Sequence, residues 1–229
     1  MTDWISSDMP NPDAHGAPQI RRARERFCTR NDAEGKETWH SFSFGNHYDP
    51  ERINFGPIMA INEERLAPGA GYEPHLHRDV DILTWVLEGM LAHEDSTGLG
   101  GLIEPGTLQH LSAGPGVTHS ENNASTTEPL AFVQMMLRAD LVDDPVYGQV
   151  QIPNGPGLHP GPEVNANAQM YIARLSPQGS VQIPGEQSVL VHVTRGTVTI
   201  ADAVLGAGDE FTAVSLGETT MSSAGEAEA

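Results

Sequence analysis

The chain has 229 residues, of which 38% are hydrophobic and 19% are charged, a composition typical of a globular protein with one large domain or two modest ones. Its formal net charge of -19 disfavours direct binding to nucleic acids or to anionic membranes, because both carry negative charge. No apolar run is long enough to cross a membrane, so the sequence predicts a soluble protein.

The cysteine content and the N-terminus bear on the compartment. Cys28 is the only cysteine, which excludes an intramolecular disulfide and a thiolate-rich zinc site and fits a reducing compartment. Residues 1–18 combine prolines with acidic residues and contain no apolar stretch, so they do not resemble a secretory signal. We therefore expect a cytoplasmic protein in which residues 1–18 form a flexible extension.

From Trp39 onward, short apolar or alternating segments separated by turn residues indicate an all-β protein. Residues 81–87, for example, are typical of a buried strand that ends at a glycine turn. Residues 143–168 are rich in proline, glycine and asparagine, and we interpret them as a linker. The sequence thus predicts an N-terminal domain at residues 19–142 and a C-terminal domain at residues 169–229.

The two predicted domains look like diverged copies of one β-barrel unit. Residues 86–91 align with residues 193–198, and each segment has a strand, a glycine turn and a second strand. The second copy lacks a counterpart of the strong strand predicted at 130–137. Either an N-terminal strand near Ile20 closes that edge by crossing between domains, or the second barrel is open.

Two pairs of potential metal ligands each have a spacing of two residues. His75 with His77, and His119 with Glu121, place both side chains on one face of an extended segment. One such histidine pair means little in a chain with ten histidines, but both pairs lie beside strand and turn signals. If the two segments face each other across a barrel interior, their side chains converge on one point. This donor set suits iron, copper, nickel, manganese or zinc.

Other polar residues receive structural interpretations. His93 and His110 lie between the two ligand pairs, and we expect them at the surface or beside the ligands as supporting residues. The arginine-rich segment at residues 21–26 is interpreted as the solvated face of a strand in preference to a nucleic-acid site.

A series of ordered motifs runs through the first predicted domain. The motifs are HLHRD at 75–79, TWVLEG at 84–89, HEDS at 93–96, PG at 105–106, SAG at 112–114 and VTHSE at 117–121, preceded by HSFSFG at 40–45 and FG at 55–56. This series resembles the pirin family of bicupins, densely over residues 20–140 and loosely over the remainder. The resemblance implies an all-β fold of two antiparallel, jelly-roll-like β-barrels in tandem.

The resemblance also implies a metal centre. In the pirin family the matching residues hold one metal ion in the N-terminal cupin, so the implied ligands are His75, His77, His119 and Glu121. The implied ion is Fe(II), with manganese, nickel, cobalt, copper and zinc as alternatives. Carrying the ligand spacings to the second copy gives residues that do not form a comparable ligand set. They are Gln182, Pro184, Met221 and Ser223. A degenerate, metal-free C-terminal cupin is therefore expected.

The activity that the resemblance implies is that of a quercetin 2,3-dioxygenase, which opens a flavonol or a similar small phenolic substrate with O2 and releases carbon monoxide. Glu121 is then interpreted both as a ligand and as the catalytic base that removes the proton of the 3-hydroxyl group. The alternative is an iron-binding, redox-responsive factor that acts through a protein partner without turnover. A zinc-bearing structural barrel is a third reading. The chain is expected to be a monomer.

Overall fold

The chain folds almost entirely as β-strands in this computed structural model, which describes residues 17–140 and 143–229. The helical structure in these ranges is a single 3-10 turn at Ala23–Glu25, so the all-β prediction is confirmed. No helix in the described ranges has the length and hydropathy needed to span a bilayer. The extension predicted at residues 1–18 falls outside the described residues except for its last two.

Numbered along the chain, the strands are β1 (Gln19–Arg21), β2 (Phe27–Asn31), β3 (Lys36–His40), β4 (Ile58–Leu66), β5 (Gly71–His77), β6 (Val80–Glu88), β7 (Leu91–Asp95), β8 (Gly100–Ile103), β9 (Thr107–Ser112), β10 (Val117–Asn123), β11 (Leu130–Arg138), β12 (Val146–Gln151), β13 (Gly157–Pro160), β14 (Tyr171–Leu175), β15 (Ser180–Ile183), β16 (Glu186–His192), β17 (Thr197–Ile200), β18 (Ala203–Gly206), β19 (Glu210–Leu216), β20 (Thr219–Ser222) and β21 (Ala227–Glu228). The chain divides into a larger unit, Arg24–Arg174, and a smaller unit that combines Met1–Ala23 with Leu175–Ala229.

The larger unit contains two antiparallel sheets that share a core. One sheet has seven strands in the order β12-β9-β6-β11-β4-β3-β2, and the other has four in the order β5-β10-β7-β8. Side chains alternate along β6, so Ile82 packs with Val117 of the smaller sheet, while Leu83 and Trp85 pack with Ile172 on the other side. The seven-stranded sheet is therefore buried on both faces at β6, which explains the continuous apolar run of that strand.

Polar side chains interrupt the core between two apolar clusters. Along β4, Ala60 belongs to one cluster and Leu66 to the other, and the buried residues between them on the same face are polar. Equivalent positions on the neighbouring strands are also polar. This polar layer consists of Asn62, Glu64, Thr84, Gln134, His93, His119 and Glu121. Burying this many polar groups is costly unless they bond to one another or to a ligand, so the polar layer marks the candidate site.

The segment interpreted as a linker carries structure in the larger unit. Residues 143–168 include β12 and β13, and β12 pairs with β9 from Val146 opposite Ser112 to Gln151 opposite Thr107. The structural boundary consequently falls after Arg174, and the predicted boundaries at 142 and 169 are revised. The glycine, proline and polar residues there belong to an edge strand and its turns, which resemble a linker in composition.

The N-terminal strand adds to one edge of a sheet in the smaller unit. β1 pairs antiparallel with β19, with Ile20 opposite Phe211, and β19 pairs on its other side with β16. In the repeat alignment β16 corresponds to β6 and β19 to β9, so β1 has the place beside β19 that β12 has beside β9. The N-terminal strand thus crosses into the second unit as one of the two explanations required, but it covers the edge opposite to β16, the strand beside which a counterpart of β11 would lie. Residues from both the N-terminal and the C-terminal part of the sequence form this unit, and the residues of the larger unit come between them along the chain.

The glycine turns on which the repeat was based have the same conformation. Gly89 has a φ of 82° and Gly196 has a φ of 75°, both in the left-handed region, which residues other than glycine rarely adopt. A Cβ atom would lie 2.4 Å from the carbonyl oxygen of Pro129 at the first position and 2.2 Å from that of Glu226 at the second. Each turn thus requires glycine for its φ and for a close backbone approach, which supports the relation between the two units.

The arginine-rich segment is solvated only in part. Arg24 is exposed and Arg22 is partly exposed. Arg21 is 6% exposed and Arg26 is 8% exposed, so both are buried. The Arg26 guanidinium donates to Glu63 over 2.7 Å, Nη2 to Oε2. An arginine that is buried against a carboxylate has the same sequence signature as an exposed one.

Candidate metal centre

The two predicted ligand pairs lie on neighbouring strands of the four-stranded sheet. β5 pairs directly with β10, which places His75 opposite His119 and His77 opposite Val117. The ring centroids of His75 and His77 lie 4.4 Å and 4.9 Å from that of His119. The expected convergence occurs, but across one strand pair and not across the barrel interior.

A register irregularity sets the position of Glu121 relative to the histidines. His119 is opposite His75 while Glu121 is opposite Tyr72, so two residues of β5 stand against the single Ser120 of β10. One of the two is Pro74, which has no amide hydrogen to donate to a ladder. Such an irregularity bends a strand and redirects the side chains beside it.

The potential donor atoms form two overlapping groups. His75, His77 and His119 offer ligand atoms that all lie within 4.8 Å of one another, and so do His93, His119 and Glu121. The structure therefore brings the three predicted histidines together, and it joins Glu121 to them through His119. His93 is the additional member of the second group.

The free nitrogen atoms of these histidines fit a metal ion. Nε2 of His77 and Nε2 of His119 are buried, and no protein hydrogen-bond partner is found for either among the described residues. Nδ1 of His75 is 2.8 Å from the carbonyl oxygen of Glu73, so Nδ1 is the donor of this hydrogen bond and Nε2 is the nitrogen that can face a metal ion. Buried imidazole nitrogens without partners are costly, and a divalent cation would satisfy them.

The ionisation of the site is also suited to metal binding. Burial, together with the neighbouring histidines, lowers the pKa of His77 to about 4 and the pKa of His119 to about 2. Both imidazoles are therefore neutral near pH 7, the form in which histidine binds metals. Burial raises the pKa of Glu121 to about 7, an effect that the hydrogen bond from Gln134 opposes and the charge of Glu64 reinforces.

The Glu121 carboxylate is held by a residue that the sequence analysis did not identify. Nε2 of Gln134 lies 2.9 Å from each of the two Glu121 carboxylate oxygens, and all three atoms are buried. Gln134 is the polar residue in the middle of the apolar strand β11. A single polar residue on the inward face of such a strand is the signal that could have identified it.

His93 is likewise part of the site. It is 1% exposed on β7, opposite Glu121 of β10, and its ring stacks on Tyr147 with centroids 4.8 Å apart. Nδ1 of His93 lies 3.4 Å from Nδ1 of His119. Of the two positions expected for His93, the structure excludes the surface. His110 is also buried, with Nε2 3.2 Å from Oδ1 of Asp81.

Comparison with known proteins assigns the chain to a family. The family model for Pirin matches residues 20–137, more than half of the sequence and the whole of the candidate site. The chain belongs to the pirin family. The fold is accordingly the bicupin fold of that family, as the motif series implied.

Relatives of this pirin include an Escherichia coli K12 protein named quercetin 2,3-dioxygenase, 36% identical over 194 residues that cover 79% of this chain and 83% of the relative. A Mycobacterium tuberculosis protein given the same name provisionally is 39% identical over 202 residues, or 80% of each chain. The crystal structure of YhhW from E. coli superposes with a TM-score of 0.88 at 28% identity, covering 93% of this chain and 95% of that one. YhhW has also been crystallised, as a bacterial pirin, in complex with nickel(II), with a TM-score of 0.87, 27% identity and coverage of 93% and 96%.

Proposed function

We propose that this pirin is a metal-dependent dioxygenase that opens flavonols such as quercetin. The observation that carries the proposal is the convergence of the donor atoms of three histidines, His75, His77 and His119, the last of which also groups with the buried Glu121. The names of the E. coli and mycobacterial relatives support the substrate class. Both oxygen atoms of O2 would enter the products, one of which is carbon monoxide.

The proposed ligands are His75, His77, His119 and Glu121, and the proposed ion is Fe(II). Imidazole and carboxylate donors also suit manganese, cobalt, nickel, copper and zinc, and YhhW binds nickel in its crystal. When bound, the ion supplies Lewis acidity to a substrate oxygen and a site at which O2 and the flavonol meet. Four protein ligands leave coordination positions open for them on a six-coordinate ion.

Glu121 would act as the proton acceptor for the flavonol 3-hydroxyl group. Its carboxylate lies in the protein interior with a pKa raised to about 7 by burial, so it is a stronger base than an exposed glutamate. Gln134 donates to both oxygens and thereby limits the rotation of the carboxylate. Loss of the hydroxyl proton to Glu121 produces an electron-rich flavonolate, the form of the substrate that O2 oxidises.

Substrate would approach from the side of β5. His75 and His77 are partly exposed, whereas His119 and Glu121 are 1% and 2% exposed. His119 and Glu121 would form the floor of the centre, from which water is excluded. His75 and His77 would form its solvent-facing rim. Exclusion of water at the floor favours transfer of the proton to Glu121 over its loss to solvent.

The test combines metal analysis with turnover. Protein purified without added metal is loaded anaerobically with Fe(II), and O2 uptake is followed with quercetin for the wild type, His77→Ala and Leu76→Ala. Leu76 is a matched control because it is 54% exposed on the opposite face of β5. The wild type and Leu76→Ala should bind one metal ion and consume O2, and His77→Ala should lose metal affinity by at least about tenfold together with turnover.

Two results would contradict different parts of the proposal. One bound metal ion without quercetin-dependent O2 uptake would contradict the dioxygenase and favour the redox-responsive factor. Failure of the wild type to retain one ion per chain after loading would contradict the metal centre itself.

A further inference from the structure

Three side chains form a buried line that ends at the proposed metal ligand His119. His93 and Asp95 occupy alternate positions on β7, and both side chains have 0% exposure. Nδ1 of His93 is 3.4 Å from Nδ1 of His119, and Nε2 of His93 is 3.6 Å from Oδ2 of Asp95. The two nitrogens of the His93 ring therefore face two different groups, one at each end of the ring.

We propose that Asp95 and His93 are positioning residues that fix the tautomer of His119, so that its Nδ1 carries the proton and its Nε2 is available to the metal. This inference rests on the metal centre proposed above. It assigns to His93 a role in support of His119, although His93 could also be grouped with His119 and Glu121 as a direct ligand.

The assignment of protons follows from the requirements of each group. An imidazole that binds a metal through Nε2 carries its proton on Nδ1, so His119 must donate towards His93. Nδ1 of His93 must then be the acceptor, which places the His93 proton on Nε2. That proton points towards Oδ2 of Asp95, an ionised carboxylate oxygen that can only accept. The opposite tautomer of His93 would set two N–H groups against each other.

Asp95 is fixed in the orientation that this arrangement requires. Its Oδ1 accepts from the backbone amides of Thr97 and Leu99 at 2.8 Å and 3.2 Å. Its Oδ2 is buried, as is Nε2 of His93, and neither has a hydrogen-bond partner elsewhere in the described part of the chain. The 3.6 Å between these two atoms is slightly longer than a hydrogen bond, and a small rotation of the His93 ring would close it.

The plane of the His93 ring is also held. The ring stacks on Tyr147 of β12 at an interplanar angle of 16°, and the Tyr147 hydroxyl accepts from Nε2 of Gln149 over 2.7 Å. His75 is held in a similar way within the same centre. The carbonyl oxygen of Glu73 accepts from Nδ1 of His75, as Nδ1 of His93 would accept from Nδ1 of His119. Both ligands would then present Nε2 to the ion.

The experiment measures the affinity of the full chain for Ni(II), in competition with a chromophoric chelator. Asp95→Asn keeps the shape of the side chain but places an amide donor opposite Nε2 of His93, and it should weaken Ni(II) binding by about 10- to 100-fold. Glu94→Gln is the matched control, because it removes an exposed charge from the adjacent position and should leave the affinity unchanged. A loss with Glu94→Gln equal to that with Asp95→Asn would overturn the proposal in favour of a general charge effect.

Substitutions of His93 separate a positioning role from a structural one. His93→Phe retains a ring against Tyr147 but removes the acceptor, so it should weaken Ni(II) binding as Asp95→Asn does. His93→Asn returns an acceptor oxygen near the position of Nδ1 and should restore most of the affinity. In the His93→Asn background, Asp95→Asn should cause no further loss of Ni(II) affinity, because the contact between Asp95 and the His93 ring is already absent.

A spectroscopic measurement reads the tautomers directly. Long-range proton–nitrogen NMR correlations of the Zn(II)-loaded wild type should place the proton on Nδ1 in His119 and on Nε2 in His93. A proton on Nε2 of His119, loss of Ni(II) binding in His93→Asn, or unchanged affinity in both His93→Phe and Asp95→Asn would overturn the proposal. A wild type that binds metal but does not oxidise quercetin leaves the proposal standing and contradicts the dioxygenase alone.

Discussion

Replacement of Glu64 by glutamine should change how the stability of the larger unit depends on pH. Glu64 is 5% exposed in the polar layer, and its Oε2 accepts from the hydroxyl groups of Thr38 and Tyr72 at 2.7 Å each. Burial raises its pKa from 4.5 to about 7 despite these hydrogen bonds. The folded state therefore binds a proton that the unfolded state releases between these two pH values.

The sign and size of the effect follow from this difference. A raised pKa in the folded state contributes stability that is complete below pH 4.5 and is lost as the pH rises to about 7. At about 1.4 kcal/mol for each pH unit, Glu64 should contribute a loss of about 3 kcal/mol between pH 4 and pH 8. In Glu64→Gln this contribution disappears, so the difference in unfolding free energy between variant and wild type should move by about 3 kcal/mol in favour of the variant over the same interval.

The assay is urea unfolding of the metal-free protein at several pH values, followed by the fluorescence of Trp39 and Trp85 in the larger unit. Comparison of the two proteins at each pH removes the pH-independent cost of the substitution and the contributions of other carboxylates that Glu64 does not influence. A difference in unfolding free energy that stays constant from pH 4 to pH 8 would refute the raised pKa and the buried environment from which it follows.

Two further variants, the second with a matched control, test the polar layer and a glycine turn. Gln134→Leu removes the donor to both Glu121 oxygens, so quercetin-dependent O2 uptake should fall by about 10- to 100-fold; activity equal to that of the wild type would contradict the role of Gln134. Gly89→Ala forces a Cβ to 2.4 Å from the Pro129 carbonyl oxygen at a positive φ and should lower the unfolding free energy by at least about 2 kcal/mol. Gly45 also has a positive φ, but a Cβ atom there would have no other atom within 4 Å, so Gly45→Ala should lower the unfolding free energy by only about 1 kcal/mol. Equal losses of unfolding free energy for the two variants, measured by thermal unfolding, would refute the close-contact argument.

The parts of the site that follow from local spacing could be predicted from the sequence. The period of two along an extended chain places His75 and His77 on one face of β5, and His119 and Glu121 on one face of β10. The glycine turns could also be located, because a left-handed φ strongly favours glycine. These features require no knowledge of which strands are neighbours.

The contacts of the supporting residues could not be predicted in this way, because they depend on strand order. His93 meets His119 only because β7 pairs with β10, and Gln134 reaches Glu121 from a strand of the other sheet. The position of Tyr147 was obscured further, since β12 contains a glycine and two glutamines and is partly or fully exposed, which conceals its pairing with β9. Edge strands of this composition cannot be separated from linkers by their own residues.

The most direct test of the metal centre is the position of the ion itself. Anomalous diffraction at the nickel edge from crystals of the Ni(II)-loaded protein should give one strong peak per chain, about 2.1 Å from a nitrogen of each of His75, His77 and His119 and from an oxygen of Glu121. A peak bound by His93, His119 and Glu121 but distant from His75 and His77 would contradict the proposed ligand set. A peak outside the polar layer would contradict the centre altogether.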